Sequence, residues 1–182
     1  MQSRTDEAMK RYAAGDDAAF TLVYDALAPR LFGYLLRQTH DRARTEDLIQ
    51  QTMLHMHRAR ERFIPGAEVT PWAFAIARRL LVDVVRRGKR EVLADDSTAI
   101  VVSESRHPSA DDLVRAHEVA ERLEQALAAL PTTQRTAFEL IRQEGLSVAE
   151  AAQVLGTTTM AVKLRAHRAY EALRSALTDL AV

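Results

Sequence analysis

The stretch from Leu146 to Leu173 constrains the fold more than any other. Ser147-Val148-Ala149-Glu150 has the form of a capping box: the serine oxygen accepts from a backbone N–H three residues on, and the glutamate reaches back to the cap amide. The short helix it opens can pack through Val148, Ala151, Ala152 and Leu155. Gly156 supplies the left-handed residue that ends a helix, and Thr158 or Thr159 can cap the next one. Short helix, glycine, tight turn and longer helix form a helix-turn-helix, the arrangement that lays a second helix in the major groove of duplex DNA.

The second helix can be divided by angle, at ~100° per residue. With Val162 at the origin, Ala166, Ala169, Leu173 and Leu177 fall on one side and Tyr170 on its border. Met160, Lys163, Leu164, His167 and Arg168 fall on the other. That second face mixes hydrogen-bond donors with two apolar side chains able to touch thymine methyls. On a lone helix such residues would be read as solvated surface. With a capped helix and a glycine directly before them, DNA recognition is the better reading.

The rest of the chain is helical in character. Ala, Leu, Arg and Glu dominate, and these lose least on entering a helix. Glycine and proline are scarce, at 6 and 5 of 182 residues, which leaves few breaks. Asp16 or Asp17 can cap a segment from Ala18 to Arg37, with Phe20, Val23, Leu27, Leu31, Tyr34 and Leu35 at helical spacing. Pro29 inside it should kink or divide it. His40 to Arg44 reads as a loop, and Thr45 as the cap of a helix reaching about Phe63, with Glu46 and Asp47 in its first turn. Its apolar stripe is Leu48, Ile49, Thr52, Met53 and Met56. Ile64 to Val69 is a loop, and Thr70-Pro71 a strong helix start. The helix from Trp72 to about Arg87 buries Ala73, Phe74, Ala77, Leu80, Leu81 and Val84.

The helical period is lost from residue 91 to about 108, which predicts a flexible linker. Ser109 to Asp112 can open a helix to Leu130, Pro131 stops it, and Thr132 or Thr133 starts another through Glu144. The fold expected is all-α, with two small helical domains over 1–90 and 115–182 joined by the linker 91–114.

Net charge is zero, whereas a free-standing DNA binder is usually basic. The charge is unevenly placed. Residues 1–94 carry 16 basic and 12 acidic side chains, residues 95–130 carry 3 and 8, and residues 131–182 carry 6 and 5. Two mildly basic ends therefore flank an acidic middle.

The chain has no cysteine, which excludes disulfides, thiolate metal sites and cysteine nucleophiles. Its histidines form no HExxH, and His55 and His57, two apart on a helix, point to different sides. There is no Gly-rich phosphate loop and no GxSxG, so no enzyme, cofactor or metal is expected. The N-terminus lacks the apolar core of a signal peptide and no apolar run approaches the ~20 residues of a membrane span, so a cytoplasmic protein without membrane insertion is expected.

Leu130 to Arg135, Leu146-Ser147 through Leu155-Gly156, and Ala161 through Ala169 together resemble the C-terminal promoter-binding domain of extracytoplasmic-function (ECF) sigma factors. The first half agrees separately. Glu46 to Thr52 resembles that family's polymerase-clamp helix. Phe63, Trp72, Ile76-Ala77-Arg78-Arg79, Asp83 and Arg86-Arg87 resemble its −10 element helix. The resemblance covers about residues 17–90 and 115–178.

It implies a transcription initiation factor acting with core RNA polymerase and promoter DNA, and usually held by an anti-sigma partner. Asp47, Gln50 and Gln51 would contact the clamp coiled coil. The loop Phe63 to Val69 and the helix from Trp72 would engage the −10 element, with Arg78, Arg79, Arg86 and Arg87 on the backbone. Lys163, Leu164, His167 and Arg168 would face −35 bases, beside Met160, with Arg165 and Thr158 nearer phosphates. The acidic linker would thread the active-site channel. The family often has Asn where Arg79 stands, Glu where Gln51 stands, and Gly and Ser where Met160 and Leu164 stand. The rival reading is a stand-alone helix-turn-helix regulator, which predicts a dimer, a palindromic site and tight binding without polymerase.

Overall fold

The computed structural model describes residues 3–92 and 122–178, and all regular structure among them is helical. The chain divides into two compact units, Met1–Val102 and Ser103–Val182. The linker expected at 91–114, its acidic charge and the Ser109–Asp112 capping box lie almost wholly outside the described residues.

The first unit holds α1 (Arg4–Ala13), α2 (Ala19–Thr39), α3 (Arg42–Ala59), a 3₁₀ turn (Arg60–Arg62) and α4 (Val69–Val92). Helix α1 has no counterpart in the expectations above. Ser3 opens it with a reciprocal capping box to Asp6, and it buries Asp6, Ala8, Met9 and Tyr12. Helices α2, α3 and α4 pack on one another around Val23, Leu27, Leu31, Tyr34, Leu35, Leu48, Met56, Phe74 and Ala77. Phe20, expected in this stripe, is only half-buried and lies with its ring centroid 5.0 Å from that of Tyr12.

Several helix boundaries, and the effect of one interior proline, differ from the expected ones: α3 ends at Ala59 rather than near Phe63, and α4 starts at Val69, ahead of Thr70-Pro71. Helix α2 starts from Ala18 without a side-chain cap. Asp16 instead lies just ahead, its carboxyl held below the usual range by the Arg11 guanidinium and by the amides of Ala19 and Ala18. Pro29 does not divide α2, which runs unbroken past it because Leu31, Tyr34 and Leu35 bury the following turns. Helix α3 begins earlier, with Asp41 accepting from the Arg44 amide as cap. Thr45 is therefore inside the helix, fully buried, and its hydroxyl donates to the Asp41 carbonyl at 2.7 Å. This shift takes Glu46 and Asp47 out of the first turn. Helix α4 continues through Gly88 to Val92, since one glycine costs a helix only about 1 kcal/mol. Of its expected core, Ala73, Phe74, Ala77 and Leu81 are buried, whereas Leu80 and Val84 are half-buried on the flank.

The second unit begins, among the described residues, with helical residues 122–129 (α5), followed by α6 (Thr132–Arg142), α7 (Val148–Leu155) and α8 (Thr159–Thr178). Pro131 ends α5, and its carbonyl accepts from the Gln134 and Arg135 amides to start α6 without a side-chain cap. Helix α6 stops at Arg142, two residues before the expected Glu144. Gly145, with φ of 67°, then turns the chain so that the Leu146 amide returns to the Leu140 carbonyl. Leu130, Ala169 and Leu173 form a buried cluster with Leu123, Ala126, Leu127 and Phe138 against it, so α5 and α6 clamp α8.

Candidate nucleic-acid interface

The turn into α8 is built from local chemistry. Ser147 accepts from the Glu150 amide and the Glu150 carboxylate accepts from the Ser147 amide at 2.7 Å. Helix α7 buries Ala151, Ala152 and Val154, while Val148 and Leu155 are half-buried. The expected packing set thus loses its outer members and gains Val154, because the short helix packs on both α6 and α8 and its inner face is wider than one stripe. Gly156 ends it at φ of 60° and ψ of 42°. The Thr158 hydroxyl accepts from the Ala161 amide at 3.2 Å and caps α8.

Helix α8 buries Val162, Ala169 and Leu173, with Ala166 and Leu177 half-buried. Met160, Lys163, Leu164, His167 and Arg168 are all exposed, Met160 to 72% and Leu164 to 47%. Arg165 is half-buried at the border of that face. Among the described residues, Lys163, Arg165 and Arg168 form no ion pair, so no acidic side chain compensates their charge.

In the first unit, Phe63 and Trp72 approach to 5.5 Å between ring centroids. Phe63 is buried, at 8% exposure, whereas Trp72 is half-buried. Phe63 thus supports the tryptophan from below, and it is Trp72 that keeps open ring surface. Ile64, next along the loop, is 71% exposed. Trp72, Arg79 and Arg86 are spaced by seven, so they share one face of α4 within roughly 40°. This face lies opposite buried Ala73, Phe74, Ala77 and Leu81. Arg79, Arg86 and Arg87 are exposed and Arg78 half-buried.

Helix α3 presents a third surface. Asp47 and Gln50 are exposed, and half-buried Gln51 donates its amide to Asp47 at 2.7 Å. Beside Gln50 a cleft of about 500 Å³ opens between α2 and α3, bordered by Pro29, Phe32, Arg42 and Glu46. Arg42 lies over the Phe32 ring and pairs with Glu46 at 2.9 Å.

Sequence reasoning passed over Asp6, which ties two helices together. Its Oδ1 accepts from the Val69 amide, the first of α4, at 2.8 Å, and its Oδ2 accepts from the Ser3 amide and hydroxyl. Burial would raise its carboxyl, but the Val69 amide and the Ser3 groups outweigh that and hold it below the usual range. The Ser3-x-x-Asp6 spacing was a legible sign of α1, though not of Val69. Among the described residues, no group of three or more His, Asp or Glu side chains is placed to hold a metal. No described helix is long and apolar enough to cross a membrane.

Comparison with known proteins accounts for both units. Residues 23–91 match the family model of Sigma-70 region 2, and residues 120–173 that of Sigma-70, region 4. The chain is 33% identical to the RNA polymerase sigma factor CarQ of Myxococcus xanthus, over 94% of this chain and 97% of the relative. It is 34% identical to the ECF RNA polymerase sigma factor SigF of Caulobacter vibrioides, over 94% and 93%. Among solved structures, the sigma factor RpoE in complex with the anti-sigma factor NepR from Bartonella quintana superposes with a TM-score of 0.71 at 25% identity, over 87% of this chain and 96% of that one. CnrH in complex with the cytosolic domain of CnrY has the same fold, with a TM-score of 0.69 at 22% identity, over 98% and 99%. The chain belongs to the ECF family of RNA polymerase sigma factors, non-enzymatic proteins that direct transcription initiation.

Proposed function

We propose that this chain is brought to promoters by core RNA polymerase and grips them at two places, reading the −35 element as duplex and opening the −10 element. The observation that carries this reading is the face of α8. Directly after the Gly156 turn, Met160, Lys163, Leu164, His167 and Arg168 are all exposed opposite the α8 core, and Lys163 and Arg168 form no ion pair among the described residues. A helix entering the major groove needs such a face. Lys163, Leu164, His167 and Arg168 meet base edges, Met160 lies beside them, and Arg165 with the capped Thr158 turn meets phosphates.

The α4 face supplies the second grip. A base leaving the duplex needs a flat apolar surface to stack on, and Trp72 offers one while Phe63 holds it. Arg79 and Arg86 continue from Trp72 along the same face, flanked by Arg78 and Arg87, and follow the backbone. Asp47, Gln50 and Gln51 on α3 dock on the polymerase clamp, with Gln51 oriented by its bond to Asp47. Zero net charge supports carriage by polymerase, since counterion release alone would hold such a chain weakly. RpoE and CnrH were each solved with a protein partner, and an anti-sigma factor of this kind is proposed here as well.

The test is reconstitution. Purified protein should co-elute with core polymerase and confer initiation from a promoter library. Tight binding to promoter duplex alone, with no interaction with core enzyme, would sink the reading in favour of a stand-alone regulator.

A further inference from the structure

We propose that Asp6 is a positioning residue for strand opening: its carboxylate anchors the first amide of α4 and thereby sets the loop 64–68 and Trp72 for the displaced base. This rests on the −10 reading above and adds to it a residue from outside the −10 machinery.

The argument starts from what a helix start lacks. The first amides of a helix have no intrahelical acceptor, and Val69 is buried, so water does not supply one. Glu68, just before it, is exposed. The acceptor is Asp6, sixty-three residues earlier in the chain and itself 5% exposed. The negative charge also sits at the positive end of the α4 dipole. Of the two carboxylate oxygens, one faces α4 and the other closes the α1 capping box. The carboxylate is thus a joint with one face on each helix.

The joint lies where the proposed base-holding loop re-enters regular structure. Its other end is held by Phe63, whose amide donates to the Arg60 carbonyl and whose ring is buried against Trp72. Within the loop, the Ala67 amide returns to the Ile64 carbonyl at 2.9 Å around Gly66, which has φ of 91°. Exposed Ile64 and half-buried Trp72 therefore project from a segment pinned at both ends. Freeing the rear pin lets the start of α4 fray back toward Trp72. The front pin and the α3 surface stay as they are.

The experiment uses holoenzyme reconstituted from core polymerase and the full chain, with a fluorescent base analogue in the −10 element to report opening. Asp6→Ala should slow opening by about tenfold or more, as expected for loss of a charge-assisted bond to a buried amide. Core affinity and protection of the −35 duplex should stay within roughly twofold of the parent, which separates positioning from general loss of structure. Asp6→Asn keeps one acceptor oxygen and should lose less, roughly threefold. Ser3→Ala removes the hydroxyl that donates to the α1-facing oxygen and accepts from the Asp6 amide, leaves the Val69 bond in place, and should open as the parent does.

Parent-like opening by Asp6→Ala overturns the proposal, and so does an equal defect in Ser3→Ala. Should Asp6→Ala fail to bind core polymerase, Asp6→Asn decides: slowed opening with normal core affinity supports the proposal, and parent-like opening overturns it. A Trp72→Ala arm separates the two levels. If Trp72→Ala opens normally, the −10 reading itself fails. If Trp72→Ala is defective while Asp6→Ala is not, only the role of Asp6 fails.

Discussion

If α8 reads the −35 element as proposed, two of its side chains should decide where this protein's promoter preference departs from that of its relatives. Met160 and Leu164 are apolar and exposed, and both sit among basic groups on α8. An apolar side chain in the major groove gains most against a thymine methyl. Burying one methylene-sized group stabilises by about 0.8 kcal/mol, so Leu164→Ser should cut preference for one thymine in selected −35 duplexes by roughly fourfold. An unchanged selection profile would show that Leu164 makes no base contact. Asp6 gives a prediction in pH at the same scale. Its folded-state pKa lies below the ordinary 3.8, so the unfolded chain takes up a proton first as pH falls. The stabilisation is complete above that ordinary value and is lost as pH drops through the lower folded value. Denaturation midpoints measured from about pH 5 to about pH 3 should fall more steeply for the parent than for Asp6→Asn. Asp16 is shifted the same way at the surface, so Asp16→Asn is the control to run beside it.

At the scale of elements, the turn before α8 should depend on backbone conformation rather than on space. A Cβ added to Gly156 would meet nothing within 4 Å, yet φ is +60° there. Gly156→Ala should therefore destabilise the second unit by about 1 kcal/mol through strain alone, and Gly156→Asn by less, as read from denaturant midpoints. Helix α2 offers the opposite case. Pro29 is exposed and lacks the amide that would donate to the Asp25 carbonyl. Pro29→Ala should raise the melting temperature of the first unit, by an equivalent of about 1 to 3 kcal/mol. A lower melting temperature would mean that the proline ring packs usefully against the α2–α3 cleft. The elements most legible in the sequence were those with a signal at both ends, such as α7 with Ser147 and Gly156. Boundaries failed where a polar residue had two uses. Thr45 reads equally well as a cap or as a buried helical residue, and only the tertiary structure, which buries it beside Thr39 of α2, chose between them.

For the whole molecule, charge layout should govern behaviour without polymerase. With basic and acidic side chains balanced at 25 each, promoter duplex should be bound weakly by the free chain at physiological salt. The logarithm of that affinity should also fall with a shallow salt slope, corresponding to few neutralised phosphates, in a titration from about 50 to about 200 mM salt. The holoenzyme should show tighter and steeper binding. A steep slope for the free chain would indicate that the −35 face is a self-sufficient binder. The division into two helical units was legible because each unit carries its own period and caps, and the buried and exposed faces of α8 were legible because helical angle alone separates Val162 from Lys163. The sequence by itself determined what depends on neighbours three or four residues away: the capping boxes, the glycine stop and the two faces of α8. Tertiary structure alone decided that Phe63 is buried while Trp72 stays open, that Val154 replaces Leu155 in the α7 core, and that Asp6 holds the start of α4. Those outcomes depend on which helix lies alongside, and a contact sixty-three residues away leaves no periodic trace in the chain.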